Sequence, residues 1–479
     1  MDSPLAWRPV TAVSAVLVTL LLALSPRYGY HRDELYFRAL ADYPDWGYVD
    51  QPPFTPMAAR LSMALFGDSP TALRVLPALA AALLVVLTAL IARELGGGGA
   101  AQTLTAAGTA TGAYTLIAGH TLLTASFDLP IWAAAILFML KALLRDERWW
   151  LAAGAVIGAA TYNKLLIVML VLGLAAGLLA AGPRRLLASK WLWAGALVAA
   201  VLALPNFVYQ LTHDWPQLKM AAGLSEGDGD TMRLLFTPMQ LLLFGPVVAV
   251  IAGFGFVRLW RDRRVRALAV AYPAAAVVTV ISGGRFDYTA GLVLLLFAAG
   301  CVTAESAGRE KIKSAGLSLA VNGLGNAVIT LPLVPLTMLA STPVPLINEV
   351  ARESIGWPAF NAAVTGVLDS LPPDERRRAV VVTGNYGEHG SLVQGGLTRV
   401  YSGHNQLWEY GPPPDDGDPA IIVNVGRMRR DLQYSSCEVR ARVDNGLGLD
   451  NEEQDMPVFL CQGLRQPWTA TWHRWQQFD

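Results

Sequence analysis

Apolar residues run through the first two thirds of the chain in blocks near 9–25, 71–92, 101–118, 129–145, 149–162, 165–182, 191–210, 237–258, 267–282, 288–304 and 315–340. Most carry few charges and approach the length that a helix needs to cross a bilayer, so the pattern predicts about eleven spans. Between the first two blocks lies a polar loop, 26–70, in which short interfacial helices are expected around Leu35–Leu40 and Pro56–Phe66. From about 342 the pattern changes. Pro, Asp, Glu and Arg become common, and no later stretch could span a membrane. Alternating apolar runs at Ala379–Thr383 and Ala420–Val425 read as strands, and Trp357–Leu371 reads as a helix. The predicted architecture is a polytopic α-helical membrane protein, residues 1–341, followed by a small C-terminal α/β domain, residues 342–479.

Composition agrees with this class. Hydrophobic residues make up 53% and charged residues only 15% of the 479, well under the roughly 25% charged content of soluble domains. The formal net charge of +0 offers no footing for a nucleic-acid partner. With the N-terminus inside, Arg93, Arg145–Arg148, Arg184–Arg185, the arginines of 258–266 and Arg309–Lys313 all fall on the cytoplasmic side, as the positive-inside rule requires. The first apolar block lacks a small-residue cleavage site after it and reads as a retained span. An odd number of spans puts the C-terminal domain outside, on the same side as the 26–70 loop. Cys437 and Cys461 are the two cysteines of that domain, and an oxidising compartment predicts a disulfide between them. Trp468, Trp472 and Trp475 are expected to pack the tail against the domain and close it over the membrane-level site.

The outward span ends gather acids and bases: Asp33, Glu34, Asp50 and Gln51 in the first loop, His120 and Asp128 in the second, then Lys164, His213, Arg285 and Tyr288. Each alone is an ordinary interfacial residue, and Asp128 before Leu129-Pro130 could equally be a helix cap. Together they make a membrane-surface cluster able to take a proton from a hydroxyl and to balance a growing phosphate charge. The Asp50-Gln51-Pro52-Pro53 turn is stiff, because each proline fixes its own φ and restricts the residue before it.

The strings HRDELYF and DWGYVDQPPF, with SFDLP, TYNK, PNFVYQLTHDWP, TGNYGEHG and SGHNQLWEYGPP, resemble the GT-C glycosyltransferases of family 39. That family includes the protein O-mannosyltransferases and the enzyme that adds aminoarabinose to lipid A. The resemblance implies an inverting, polyprenyl-phosphate-dependent glycosyltransferase at the outer face of a bacterial inner membrane. It carries the catalytic base over to Asp33 with Glu34 beside it, the second-loop acid to Asp128, and a lipid-phosphate contact to Lys164. The chain departs from the aminoarabinose enzyme at Asp50-Gln51, where that enzyme has an acid followed by lysine, and at Tyr36, where it has arginine. It also lacks the sugar-binding insertion of the eukaryotic mannosyltransferases, so the acceptor stays open among glycan, lipid, protein and small molecule.

Arg285, His213 and Tyr288 are expected to assist Lys164 at the donor phosphate, with Asp50, Gln51 and His120 elsewhere in the site. No cofactor is implied with certainty; one histidine and scattered carboxylates leave a divalent metal at Asp50 and His213 open. The rival reading is a transporter or flippase of lipid-linked saccharide, which should have paired broken helices and matching halves; the sequence pattern has neither.

Overall fold

The structure is a computed structural model that describes residues 3–478. Helices occupy all the apolar blocks. They are α1 (Trp7–Leu24), α2 (Arg32–Leu40), α3 (Phe54–Phe66), α4 (Pro70–Glu94), α5 (Gly99–Ala110), α6 (Ala113–His120), α7 (Thr124–Leu144), α8 (Trp149–Ala160), α9 (Ile167–Ala180), α10 (Lys190–Thr212), α11 (Pro216–Gly227), α12 (Gly229–Leu242), α13 (Pro246–Arg261), α14 (Arg266–Ile281), α15 (Ala290–Ser306) and α16 (Arg309–Thr330). Among the described residues, five helices are individually long and apolar enough to cross a membrane, or six if the bent pair α12 and α13 counts as one span. The helices α8, α9 and α14 are apolar but shorter. The two interfacial helices expected in the first loop are α2 and α3. The helix α15 lies at the centre of the bundle, buried along nearly its whole length.

Two predicted spans are broken. The block 101–118 divides at Thr111-Gly112, and the block 237–258 bends by 89° between α12 and α13. Both runs are apolar throughout, so hydropathy alone joins them. At the second break Gly245 takes φ +93°, a conformation that suits glycine, and Pro246 starts the next helix. Breaks inside an apolar bundle need partners for the freed backbone groups. Asn322 and Asn326, one turn apart on α16, supply them. Both side-chain amides donate to the Phe244 carbonyl, at 3.1 and 3.0 Å, and Asn322 Oδ1 accepts from the Val247 N–H. Asn326 also donates to the Thr111 carbonyl at 2.8 Å, so one asparagine serves both breaks.

Beyond α16 the chain builds a five-stranded mixed sheet of order β2-β1-β3-β5-β4. Its strands are β1 (Val380–Thr383), β2 (Val400–Ser402), β3 (Ala420–Val423), β4 (Tyr434–Arg442) and β5 (Pro457–Leu464). The strand β1 is parallel to β2 and β3, while β5 is antiparallel to both β3 and β4. Successive side chains of a strand point to opposite faces. Val381, Ile421, Val423, Val458 and Leu460 therefore meet Trp357, Phe360 and Val364 of the Trp357–Asp369 helix on one face, and Leu35 of α2 joins them. Val380, Val382, Ala420, Ile422 and Cys461 meet Trp468, Trp472 and Trp475 on the other. The tryptophans thus cover the sheet face that lies away from α2. Trp408 and Trp472 exchange indole N–H donors to each other's carbonyls, both at 3.0 Å.

Cys437 and Cys461 stand directly opposite on β4 and β5 and are disulfide-bonded; Cys301 is a buried free thiol in α15. Thiol labelling of the denatured, unreduced chain should therefore find one reactive cysteine. Three would contradict the bridge.

Candidate functional site

The first loop enters at His31, whose ring nitrogen Nδ1 accepts from the Asp33 N–H at 3.2 Å and caps α2. The Glu34 carboxylate accepts from the His31 N–H at 2.9 Å, completing a capping box. Adjacent positions on a helix point in different directions, and the two acids separate accordingly. Glu34 is fully buried and forms a bidentate pair with Arg74 of α4, at 2.8 and 2.7 Å; it also accepts from the Leu122 N–H at 3.0 Å. Burial opposes its ionisation, but Arg74 and the two backbone donors hold its carboxyl below the ordinary range. Arg74 donates further to the carbonyls of Ser25 and Gly29. Glu34 is therefore an anchor that ties α2 to α4 and to the turn before α7. Asp33 is only part-buried and receives the Tyr386 hydroxyl at 2.8 Å.

Asp50 lies in the same site. The Tyr36 hydroxyl donates to its Oδ1 at 3.1 Å and accepts from the Gln406 N–H at 3.2 Å. Gln406 Oε1 in turn accepts from the Val49 N–H at 2.8 Å, so the SGHNQLWEYGPP segment clasps the first loop. Burial pushes Asp50 up to about 6; Tyr36 and His404 work against that rise, and Asp33 adds to it. Gln51 is buried, with its side-chain N–H₂ unpartnered.

The turn after Asp50 rests on the TYNK segment. The Phe54 N–H donates to the Tyr162 carbonyl at 2.9 Å, Thr55 Oγ1 reaches Asn163 Oδ1 at 3.2 Å, and Asn163 donates to the Thr124 carbonyl at 3.0 Å. Lys164, next in the chain, has its ammonium 5.2 Å from the centre of the Tyr288 ring and within electrostatic reach of Asp128 and Asp287. Asp287 is paired with Arg285 at 3.2 Å and accepts from the Tyr114 hydroxyl. One carboxylate oxygen of Asp128 is buried without a hydrogen-bond partner. Asp128, Lys164, Arg285 and Tyr288 are thus brought together, with Tyr114 and Asp287 completing the group.

Two expected members lie apart. His213 ends α10 exposed, stacked on Tyr209 at 4.0 Å and bonded to the Tyr209 carbonyl at 2.9 Å. Its ring is held by its own helix end, separate from the Lys164 group. Among the described residues no three His, Cys, Asp or Glu side chains are grouped to share a metal ion, and Asp50 with His213 makes no such group. His120 is buried near the Glu34–Arg74 pair, where it lines a cavity of about 20 Å³ with Arg27, Arg74 and Ser354.

Two important residues escaped the sequence reading. Arg74 is an arginine inside an apolar run, the usual mark of a buried partner. Tyr386 sits beside Gly387 and Gly390, which are three positions apart on one helix face.

Residues 50–209 match the family model described as dolichyl-phosphate-mannose-protein mannosyltransferase. The fold matches ArnT from Cupriavidus metallidurans in the apo state, with a TM-score of 0.61 and 15% identity over 94% of this chain and 96% of that one. The same protein bound to undecaprenyl phosphate matches with a TM-score of 0.61 and 14% identity over 94% and 97%. The chain has the fold of these ArnT structures. Arabinofuranosyltransferase AftD from Mycobacteria shares it, with a TM-score of 0.52 and 13% identity over 97% of this chain and 40% of that one. A search of curated proteins returns no match. The family match covers about a third of the chain, and the structural matches extend the shared fold over nearly all of it.

Removing one partner of a buried ion pair strands the other charge, so Arg74→Ala should lower unfolding stability by about 3–5 kcal/mol. Thermal unfolding in detergent measures this. A change under about 1 kcal/mol, the scale of exposed pairs, would contradict the anchoring role. A second prediction concerns Glu388, buried in the Tyr386–Gln394 helix and pushed by burial and by Glu453 up to about 8 from 4.5. Its contribution to stability is fully present below pH 4.5 and lost as pH rises through about 8. Glu388→Gln should flatten that alkaline decline; an unchanged pH–stability curve would contradict the assignment.

Proposed function

We propose that the chain transfers a sugar from a polyprenyl-phosphate donor to a hydroxyl acceptor, with inversion at the anomeric carbon. The observation that carries this reading is the division of labour between adjacent acids: Glu34 is locked into an ion pair, while Asp33 remains part-buried with a carboxylate free to act as base. In the reaction Asp33 takes the proton of the acceptor hydroxyl as that oxygen attacks the anomeric carbon. The bond to the polyprenyl phosphate breaks, and the leaving group departs as a phosphate monoester that needs no general acid. Lys164 and Arg285 balance its charge, with Asp128 and Asp287 keeping the two cations oriented. The ArnT structure bound to undecaprenyl phosphate supports a lipid-linked donor for this fold. His213 stands outside this scheme, while Asp50, which burial pushes up to about 6, lies in the same site as Asp33.

The proposed setting is a bacterial inner membrane. Residues 1–341 form the membrane-spanning catalytic domain with about eleven crossings, some of them broken. Residues 342–479 form an α/β domain on the outer side, where the first loop also lies. The arginine-rich turns on the opposite side and the bridged Cys437–Cys461 pair support this orientation. A family match to mannosyltransferases and a fold match to ArnT leave the donor sugar and the acceptor to experiment.

The test is transfer from labelled polyprenyl-phosphate sugars by the purified protein. Asp33→Asn should abolish turnover while leaving lipid binding intact, and near wild-type turnover would sink the assignment. Lys164→Ala should weaken donor use by about 1.5–3 kcal/mol, the worth of a hydrogen bond to a charged group. Unchanged binding of the lipid phosphate would make Lys164 an interfacial anchor.

A further inference from the structure

We infer that Tyr386, contributed by the C-terminal sheet unit, is a positioning residue for Asp33, so that the site is complete only when that unit is docked. The inference rests on the reading of Asp33 as the base. Its geometry begins with two glycines. A Cβ on Gly387 would lie 2.7 Å from the Cβ of Arg32, and one on Gly390 would lie 2.6 Å from the Leu35 carbonyl oxygen. The Tyr386–Gln394 helix therefore approaches α2 more closely than any side chain would allow. That approach brings the Tyr386 hydroxyl to Asp33 Oδ1 at 2.8 Å across a sequence separation of 353 residues.

The phenol is held on both faces. Its ring stacks on Tyr36 at 4.6 Å and on His404 at 4.9 Å, and the Tyr386 N–H donates to His404 Nδ1 at 3.1 Å. The residue is half-buried, and the Arg32 guanidinium lies 5.8 Å from the ring centre. Stacked between these rings, the side chain points its hydroxyl at Asp33. A carboxylate with a fixed donor on one oxygen has its second oxygen oriented, which is what proton abstraction from a bound hydroxyl requires. Tyr36 joins this arrangement to Asp50 through its own hydroxyl. The three aromatic rings thus form a stack that spans from the sheet unit to both loop acids.

The experiment is Tyr386→Phe in the full-length protein, which keeps both stacking faces and removes only the donor. Turnover should fall by about 10–100-fold, the range for losing a hydrogen bond to a charged group, while KM for the polyprenyl-phosphate sugar and binding of polyprenyl phosphate alone stay at wild-type values. Wild-type kcat would overturn the inference. Loss of lipid-phosphate binding would also overturn it, by making Tyr386 a packing residue of the fold. Asp33→Asn is assayed alongside. If it retains turnover, the reading of the base has failed; if it abolishes turnover while Tyr386→Phe does not slow it, only the positioning role has failed.

Discussion

The buried pair between Glu34 and Arg74 is the constraint from which the site follows. Taking both charges out of water is costly, and the pair is tolerable only because every polar atom finds a partner. Glu34 receives two guanidinium nitrogens and two backbone N–H groups; Arg74 also reaches two carbonyls at the end of the first helix. The result is a rigid joint among α1, α2, α4 and the turn before α7. The helical step from Glu34 back to Asp33 then decides where the neighbouring carboxylate points. An acid pair that reads as two equal candidates in the sequence becomes one structural residue and one available residue.

A second constraint lies deeper in the bundle, where two helices break side by side. Freed backbone groups at that depth would each be expensive to leave unpaired. Asn322 and Asn326 meet the need from a single face of α16, and the Tyr114 N–H closes the gap by donating to the Leu243 carbonyl at 2.9 Å. Tyr114 thereby starts its helix in a fixed place, and its hydroxyl reaches Asp287. The breaks are thus connected to the cation group: the geometry at Gly112 and Gly245 sets the tyrosine that orients the partner of Arg285. Close packing at the breaks reinforces this, because a Cβ on Gly112 would fall 2.6 Å from the Phe244 ring.

How much of this was legible in the sequence depends on whether a signal is local. The apolar blocks, the two loop helices and strands β1 and β3 are local patterns of period or composition, and the structure has helices or strands at those positions. The breaks at Thr111-Gly112 and Gly245-Pro246 were not legible as breaks, since the residues on either side are apolar and the compensating asparagines lie some 80 to 210 positions away. The strands β4 and β5 were missed although β4 alternates Cys437, Val439 and Ala441 with Glu438, Arg440 and Arg442, a legible period-2 signal. Among site residues, the grouping of Asp128 with Lys164 and Arg285 was visible as polar residues at span ends. His213 shares that signal yet stands apart, because a span end specifies depth and leaves the facing direction undetermined.

The same distinction explains why the C-terminal segments matched so clearly as motifs while their purpose stayed hidden. TGNYGEHG looks like a turn-rich stretch when read alone. Its glycines acquire meaning only against α2, where Gly390 permits contact with the Leu35 backbone and Gly387 permits contact with Arg32. SGHNQLWEYGPP behaves likewise: Gln406 is one more polar residue until its amide oxygen meets Val49 and its N–H meets Tyr36. Both motifs are the far halves of contacts whose near halves lie in HRDELYF and DWGYVDQPPF. The first loop cannot be rigid from its own sequence, because its polar backbone needs partners and its prolines set only local angles. The chain supplies that rigidity from two sides, the ion pair to α4 below and the sheet unit above, and both must be in place before Asp33 has a defined orientation.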